Sequence, residues 1–294
     1  ELMVSRPINM INSDWKWVCH LCEEMPSLEN GLAKLFNGKD GKKRVSATFK
    51  IKDTAKWGDG TPVTGKDIRL AWEIGKSDNV AVGEKQTYLD VENIEVNDKN
   101  PKIFTMTFTK PIYDYFKMSL NNIPLVPSHL EGPVWEKTKT QPGAYEKQTT
   151  YSTDPLNPGL YNGPYLVSEV KLGSHVSLVP NKYFYGKQPS IKRIILKVIP
   201  NTQTMEANLF SGTIDMISIL GMTFDQALAL QKKLKDTDEY RGRFDVKFRQ
   251  GLTYEHIDLM LSNPMLSDIR VRKALLYGLN RKQLTDALFE GKQE

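Results

Sequence analysis

The chain has 294 residues but only 2 cysteines, so no disulfide framework can be holding a small core together. No stretch approaches the ~20 uninterrupted apolar residues of a membrane-spanning helix. The start, Glu1-Leu2-Met3-Val4-Ser5-Arg6-Pro7, lacks the basic residues and apolar run of a secretory signal. Charge of one sign is not concentrated: 40 Lys+Arg stand against 35 Asp+Glu, and the densest basic run, Lys42-Lys43-Arg44, is three residues long. A nucleic-acid partner is therefore not expected. Also missing are a nucleophile elbow, a zinc-protease helix, a phosphate-binding Walker loop and a Rossmann glycine fingerprint, which leaves hydrolase activity a weak alternative and points away from an enzyme.

The two cysteines form a single CxxC, Cys19-His20-Leu21-Cys22, with no second pair and with His129, His175 and His256 scattered far along the chain. Asp14 is placed to cap a helix on which Trp15, Val18, Cys19 and Cys22 share an apolar face. Buried thiols on that helix are the simplest reading; a local disulfide and a metal site are the alternatives.

Further on, Ala47, Phe49 and Ile51 alternate with polar neighbours as a half-buried strand does. A compact turn, Trp57-Gly58-Asp59-Gly60-Thr61-Pro62-Val63-Thr64, leads into a helix. There Thr64 and Asp67 make a capping-box pair and Ile68, Ala71, Trp72 and Gly75 share a face. Val91 to Val96 and Phe104 to Thr109 read as a strand pair. From Pro124 to Pro164 six further prolines, counting Pro164, argue against a long helix, and we place a domain transition there. Strands are predicted again from Tyr165, around Val176 and Leu178, over 191–199, over 214–219 and at Phe244, Val246 and Phe248. Helices are predicted over 201–210, after Thr223 with Gln226, after Ser267, and after Asn280 with Gln283. Mixed strands and helices with no internal repeat give an α/β class with more than one lobe.

Three blocks in order go beyond class. They are Thr48-Phe49-Lys50-Ile51 with Lys56 to Asp67; Tyr161-Asn162-Gly163-Pro164-Tyr165 with Pro180 to Tyr185 and Leu209 to Asp215; and Leu266 to Leu275 running into Leu279-Asn280-Arg281. Together they resemble the extracellular solute-binding proteins of family 5, the peptide receptors of ABC importers. Gly65 departs from the usual Ala, and Tyr161-Asn162 from a small residue followed by Thr. Turn and cap chemistry accounts for the blocks, so they identify the machine without naming its cargo.

The resemblance implies a periplasmic-binding-protein-like fold (class II, cluster C type) with an inserted α/β subdomain. Lobe I would comprise 1–25 and 159–256, the subdomain 26–158, and the start of lobe II 257–294, with the rest of lobe II outside these residues. Such a piece alone would bind peptide poorly. The resemblance also implies a monomer that captures extended peptides by strand-like pairing, closes about a hinge, and delivers them to ABC permease subunits. Its place is the periplasm, or the outer face of the cytoplasmic membrane through a lipid anchor. No cofactor and no metal is implied. The alternative cargo is an oligosaccharide or another non-peptide solute, on which the 5 Trp, 12 Tyr and 11 Phe could stack.

Two segments fall at the ligand by this resemblance. One supplies Asn12, Ser13, Asp14 and Trp15; the other supplies Tyr254, His256 and Asp258. In the second, Ile257, Leu259 and Leu261 alternate with the proposed cleft face, so the apolar set is expected to meet a core.

Overall fold

The computed structural model describes residues 2–218, 221–237, 240, 242–248 and 256–290. They fall into two compact units, Glu1–Val198 and Ile199–Glu294.

The first unit opens with a hairpin, β1 (Asn9–Ile11) antiparallel to β2 (Trp17–Cys19). The helix expected after Asp14 does not form. Its apolar spacing is equally met by a hairpin, and the Asn12 side chain decides between the two: its Oδ1 accepts from Asp14 N–H at 2.9 Å and Lys16 N–H at 3.0 Å, which turns the chain back. Nor are the cysteines free thiols, because Cys19 and Cys22 form a disulfide. The pair links the end of β2 to the main core, where Cys22 is fully buried and bridges Ile51. Reduction is expected to lower stability by only about 2 kcal/mol, the loop-closure entropy of so short a ring. Thermal unfolding with and without a dithiol reads that difference.

A four-stranded antiparallel sheet follows in the order β3 (Ala33–Asn37), β4 (Lys43–Lys50), β6 (Ile103–Phe108), β5 (Val91–Val96). The period-two reading holds: Val45, Ala47 and Phe49 are buried, as are Phe104, Met106 and Phe108 on the neighbouring strand. Register pairs Phe49 with Phe104, whose rings stack at 5.2 Å. Against the sheet packs α1 (Gly65–Lys76), which buries Ile68, Ala71 and Gly75. A Cβ at Gly75 would stand 2.1 Å from the Tyr88 ring, so the close approach of α1 to α2 (Lys85–Leu89) needs glycine there.

The proline-rich stretch contains α3 (Ser128–Thr138), α4 (Ala144–Gln148) and α5 (Thr150–Thr153). An eleven-residue helix with Pro133 inside it is longer than the prolines suggest. Side-chain contacts make up for the missing N–H: buried Glu131 accepts from Tyr145 OH, Thr149 Oγ1 and Thr150 N–H, each at 2.8 Å, and Trp135 meets the Tyr145 ring edge-on at 5.8 Å. The unit closes with a three-stranded antiparallel sheet, β7 (Tyr165–Lys171), β8 (His175–Pro180) and β9 (Ile194–Lys197).

The second unit holds α6 (Thr202–Phe210), α7 (Phe224–Asp236), α8 (Pro264–Ser267), α9 (Ile269–Gly278) and α10 (Arg281–Phe289). Thr223 and Gln226 form the capping box of α7, and Asn280 caps α10, as their spacing predicts. The cap of α9 is Asp268, one residue after Ser267. No strand forms over 214–218 or 242–248, and Ile219 lies outside the described residues. Alternation is not sufficient without a partner strand. Instead Ile214, Ile217, Phe244 and Val246 pack on the small core of Leu209, Leu230 and Leu234, and Phe210 stacks on Tyr240 at 4.1 Å.

Candidate functional site

Asn12, Ser13, Asp14 and Trp15 form the loop tip of the β1–β2 hairpin. Asn12 is spent on the turn, whereas Ser13, Asp14 and Trp15 are exposed. Trp15 stands at φ 60°, a left-handed conformation that costs a bulky residue about 1–2 kcal/mol, and the residue is 45% exposed. Core packing therefore does not account for it. Strain of this kind persists where the surrounding structure imposes it, and here the turn does so, with Trp15 N–H donating to Asn12 O at 3.1 Å and Asn12 N–H to Lys16 O at 2.8 Å.

The second segment is less complete. Tyr254 lies outside the described residues. His256 and Asp258 are exposed, with Nε2 and Oδ2 3.4 Å apart, in neither helix nor strand. The expected burial of the apolar set is not observed: Leu259 is half-buried, but Ile257 and Leu261 are exposed. No described element covers that side. The two segments belong to different compact units.

The first unit also contains a half-enclosed cavity of about 520 Å³, which no local sequence signal marked. Its lining comes from Val4–Arg6, from Leu120 and residues 124–126, and from Trp57, Tyr151, Tyr161 and Asn162. These residues are far apart in sequence and are brought together by two clamps. The first is at Asn162, which accepts from Arg6 N–H at 2.7 Å and donates to Arg6 O at 3.1 Å. Gly163 N–H extends it by donating to Val4 O at 2.9 Å. The second is Asp67, fully buried at the start of α1, which accepts from Trp57 Nε1, from Thr64 N–H and from Ser128 N–H and Oγ.

Beside the cavity the field is positive. Arg6 Nη1 lies 3.4 Å from His20 Nδ1, and Lys52 Nζ donates to His20 O at 2.7 Å. Burial first, and then the charges of Arg6 and Lys52, hold the His20 imidazole below its usual value, which favours its neutral form. No cluster of His, Cys, Asp and Glu among the described residues is arranged to hold a metal ion. No helix among them is long and apolar enough to cross a membrane. The arrangement can bind, by apolar contact, ring stacking and charge; no nucleophile with an adjacent base lines the cavity.

The model of the bacterial extracellular solute-binding proteins, family 5 (middle), matches residues 28–294. The chain belongs to that family. An oligopeptide-binding protein of Bacillus subtilis is 25% identical over 274 residues, 90% of this chain and 47% of its own length. A second oligopeptide-binding protein of that organism is 22% identical, over 93% of this chain and 44% of its own length. The family 5 chain thus spans about half the length of the curated relatives it matches. Among solved structures, an oligopeptide-binding protein from Thermus thermophilus complexed with a pentapeptide superposes with TM-score 0.73 at 26% identity, covering 99% of this chain and 52% of that one. A Campylobacter jejuni protein in complex with Ni(L-His) gives 0.65 at 20%, covering 99% and 50%. The periplasmic-binding-protein-like α/β class read from the three blocks is the fold of these relatives.

Proposed function

We propose that this family 5 chain is the solute-capturing part of an ABC importer's binding component, taking extended peptides and delivering them to membrane permease subunits. The observation that carries this reading is the cavity, whose volume falls in the ~300–1,000 Å³ range of small-ligand sites and whose lining is aromatic and apolar with one cation. The pentapeptide held by the Thermus relative supports peptide over other cargo. Lobe I would comprise 1–25 and 159–256, the inserted subdomain 26–158, and the opening of lobe II 257–294. Trp15 presents its ring to the ligand from the hairpin tip, and Asp258 with His256 and Tyr254 offers an acceptor for a ligand ammonium or peptide N–H. The protein works as a monomer in the periplasm or lipid-anchored on the outer face of the cytoplasmic membrane, without cofactor and without altering its ligand.

A thermal-shift screen of the full-length protein against peptide and glycan libraries tests this, because a ligand that binds only the folded state raises the melting temperature. Peptides are expected to score and to be recovered intact. Stabilisation by glycans alone would replace the cargo, and recovered fragments would make the protein a hydrolase. Asp258→Ala is expected to weaken a scoring peptide about tenfold, ~1.4 kcal/mol; unchanged calorimetric affinity removes Asp258 from the site. Trp15→Gly should act with opposite signs, raising stability by roughly 1 kcal/mol as the left-handed strain is relieved while lowering peptide affinity. A fall in stability would show instead that the ring packs on the fold.

A further inference from the structure

The four-stranded sheet ends on β3, and among the described residues no strand pairs with its outer side. Three bonds fix which backbone groups face outward. Thr48 N–H donates to Leu32 O at 2.7 Å and Gly38 N–H to Lys42 O at 2.8 Å, both towards β4, while Ala33 N–H turns away to Ser27 O at 2.9 Å. Antiparallel pairing alternates, so Leu35 and Asn37 also point their N–H and C=O away from β4, and among the described residues nothing bonds to them. The side chains are as open as the backbone, with Leu35 60% and Phe36 41% exposed. Two usual protections of an edge are missing, since β3 contains no proline and pairs with β4 without a register shift. What the edge carries instead is charge. Lys34, Lys39, Lys42 and Lys43 are exposed and enter no ion pair among the described residues. Asp40, the one acid between positions 33 and 50, is taken by Arg44. Like charges across a strand pair destabilise it and unlike charges support it, so these lysines repel a basic strand and favour an acidic one.

We propose that β3 is a docking edge for an extended acidic segment of a partner protein, which adds to the sheet as a further strand. Leu35 and Phe36 are neighbours on a strand and project to opposite faces, so a flat lipid surface reaches only one of them, whereas an added strand meets both. A second copy of this chain would bring two sets of four lysines together. Leu35 shares the face of its partner Val45, which is buried, so the added strand needs an apolar residue on that face. Next to Lys34, on the other face, it needs an acid. No residue of β3 lines the cavity, so this inference stands apart from the cargo reading above.

The test uses the whole chain and three labelled heptapeptides, read by fluorescence anisotropy. They are N-acetyl-Glu-Val-Glu-Val-Glu-Val-Glu-amide, the same peptide with Lys for Glu, and the block sequence Glu-Glu-Glu-Glu-Val-Val-Val with the same ends. The alternating acidic peptide is expected to bind about tenfold more tightly than either of the others, and to slow hydrogen exchange at the Leu35 and Asn37 amides. Lys34→Gln combined with Lys43→Gln should weaken it about fivefold. Leu35→Pro removes an outward N–H and no β4 ladder bond, and should weaken it about tenfold. Circular dichroism reports whether the variants are folded, and where Leu35→Pro is not, hydrogen exchange in the unaltered chain decides. Equal binding of the alternating and block acidic peptides, or unchanged exchange at Leu35 and Asn37, overturns strand addition. So does binding that survives both sets of substitutions, because the peptide then sits elsewhere. A dimer of the chain alone that Leu35→Pro dissociates in sedimentation gives the edge to a second copy, and capture by phosphatidylglycerol vesicles without peptide binding gives it to lipid; either result overturns the proposal.

Discussion

Replacing Asp67 with alanine is expected to cost about 3 kcal/mol or more, because a single carboxylate satisfies four donors from three separate parts of the chain. Trp57 Nε1 reaches it at 3.2 Å, Thr64 N–H at 2.7 Å, and Ser128 N–H and Oγ at 2.8 and 2.6 Å. Asp67 is 1% exposed, so water cannot take over those bonds without opening the structure. Asparagine is not a substitute. It has one acceptor oxygen where the carboxylate has two, and its NH₂ would face a donor. For a unit of about 200 residues the loss corresponds to a melting temperature lower by ~6–12 °C. Asp67→Asn should fall between alanine and the unaltered chain. An Asp67→Ala protein melting within a degree or two of the original would show that the four bonds carry little net stability. Asp67 also holds Trp57 and the chain around Ser128, which flanks the lining residues 124–126. Ligand binding should therefore weaken in the folded fraction as well.

The capping box at Thr64 and Asp67 was legible in the sequence because both partners lie within one helical turn. The same holds for Thr223 with Gln226 and Asn280 with Gln283, and for the period-two burial of β4. Signals that depend on a distant partner were not legible. Residues 214–218 and 244–248 have the composition of strands, yet a strand exists only where another chain segment accepts its hydrogen bonds, and local composition does not say whether one is there. The CxxC failed for a different reason. The spacing of Trp15, Val18, Cys19 and Cys22 suits one face of a helix, and it equally suits a hairpin closed by a disulfide. Asn12, read only as a ligand contact, was the residue that decided between them. The proposed site divides in the same way. Asn12 to Trp15 are adjacent and could be read as one unit. Arg6, Leu120, Tyr151 and Tyr161 share a cavity across more than 150 positions and carry no common motif. The clamp around Asn162 and Gly163 brings the first of them to Tyr161.

That clamp makes Gly163→Ala the second large effect. An added Cβ at Gly163 would stand 2.6 Å from Val4 C, 2.7 Å from Met3 O and 2.9 Å from Ser5 N, all backbone atoms that cannot rotate aside. The segment it would displace is held by Gly163 N–H to Val4 O and Tyr165 N–H to Met3 O, both at 2.9 Å, and by the paired bonds between Arg6 and Asn162. Accommodating one methyl group therefore means separating two backbone segments, expected to cost about 2–3 kcal/mol as overpacking does in a close-packed interior. Gly132→Ala provides the control. Apart from its chain neighbours and the backbone of its own helix, nothing lies within 4 Å of a Cβ there, and the residue sits inside α3, so alanine should be neutral or stabilise by up to ~1 kcal/mol. The two glycine changes add the same methyl group and differ only in what it meets. Gly163→Ala should also lower peptide affinity in the folded fraction, since Val4, Ser5 and Arg6 line the cavity and move with that segment. If the variant is destabilised yet keeps its peptide affinity, the cavity tolerates the displaced N-terminal segment. If stability and affinity are both unchanged, the contact between residue 163 and the Met3–Ser5 backbone is looser than these distances require.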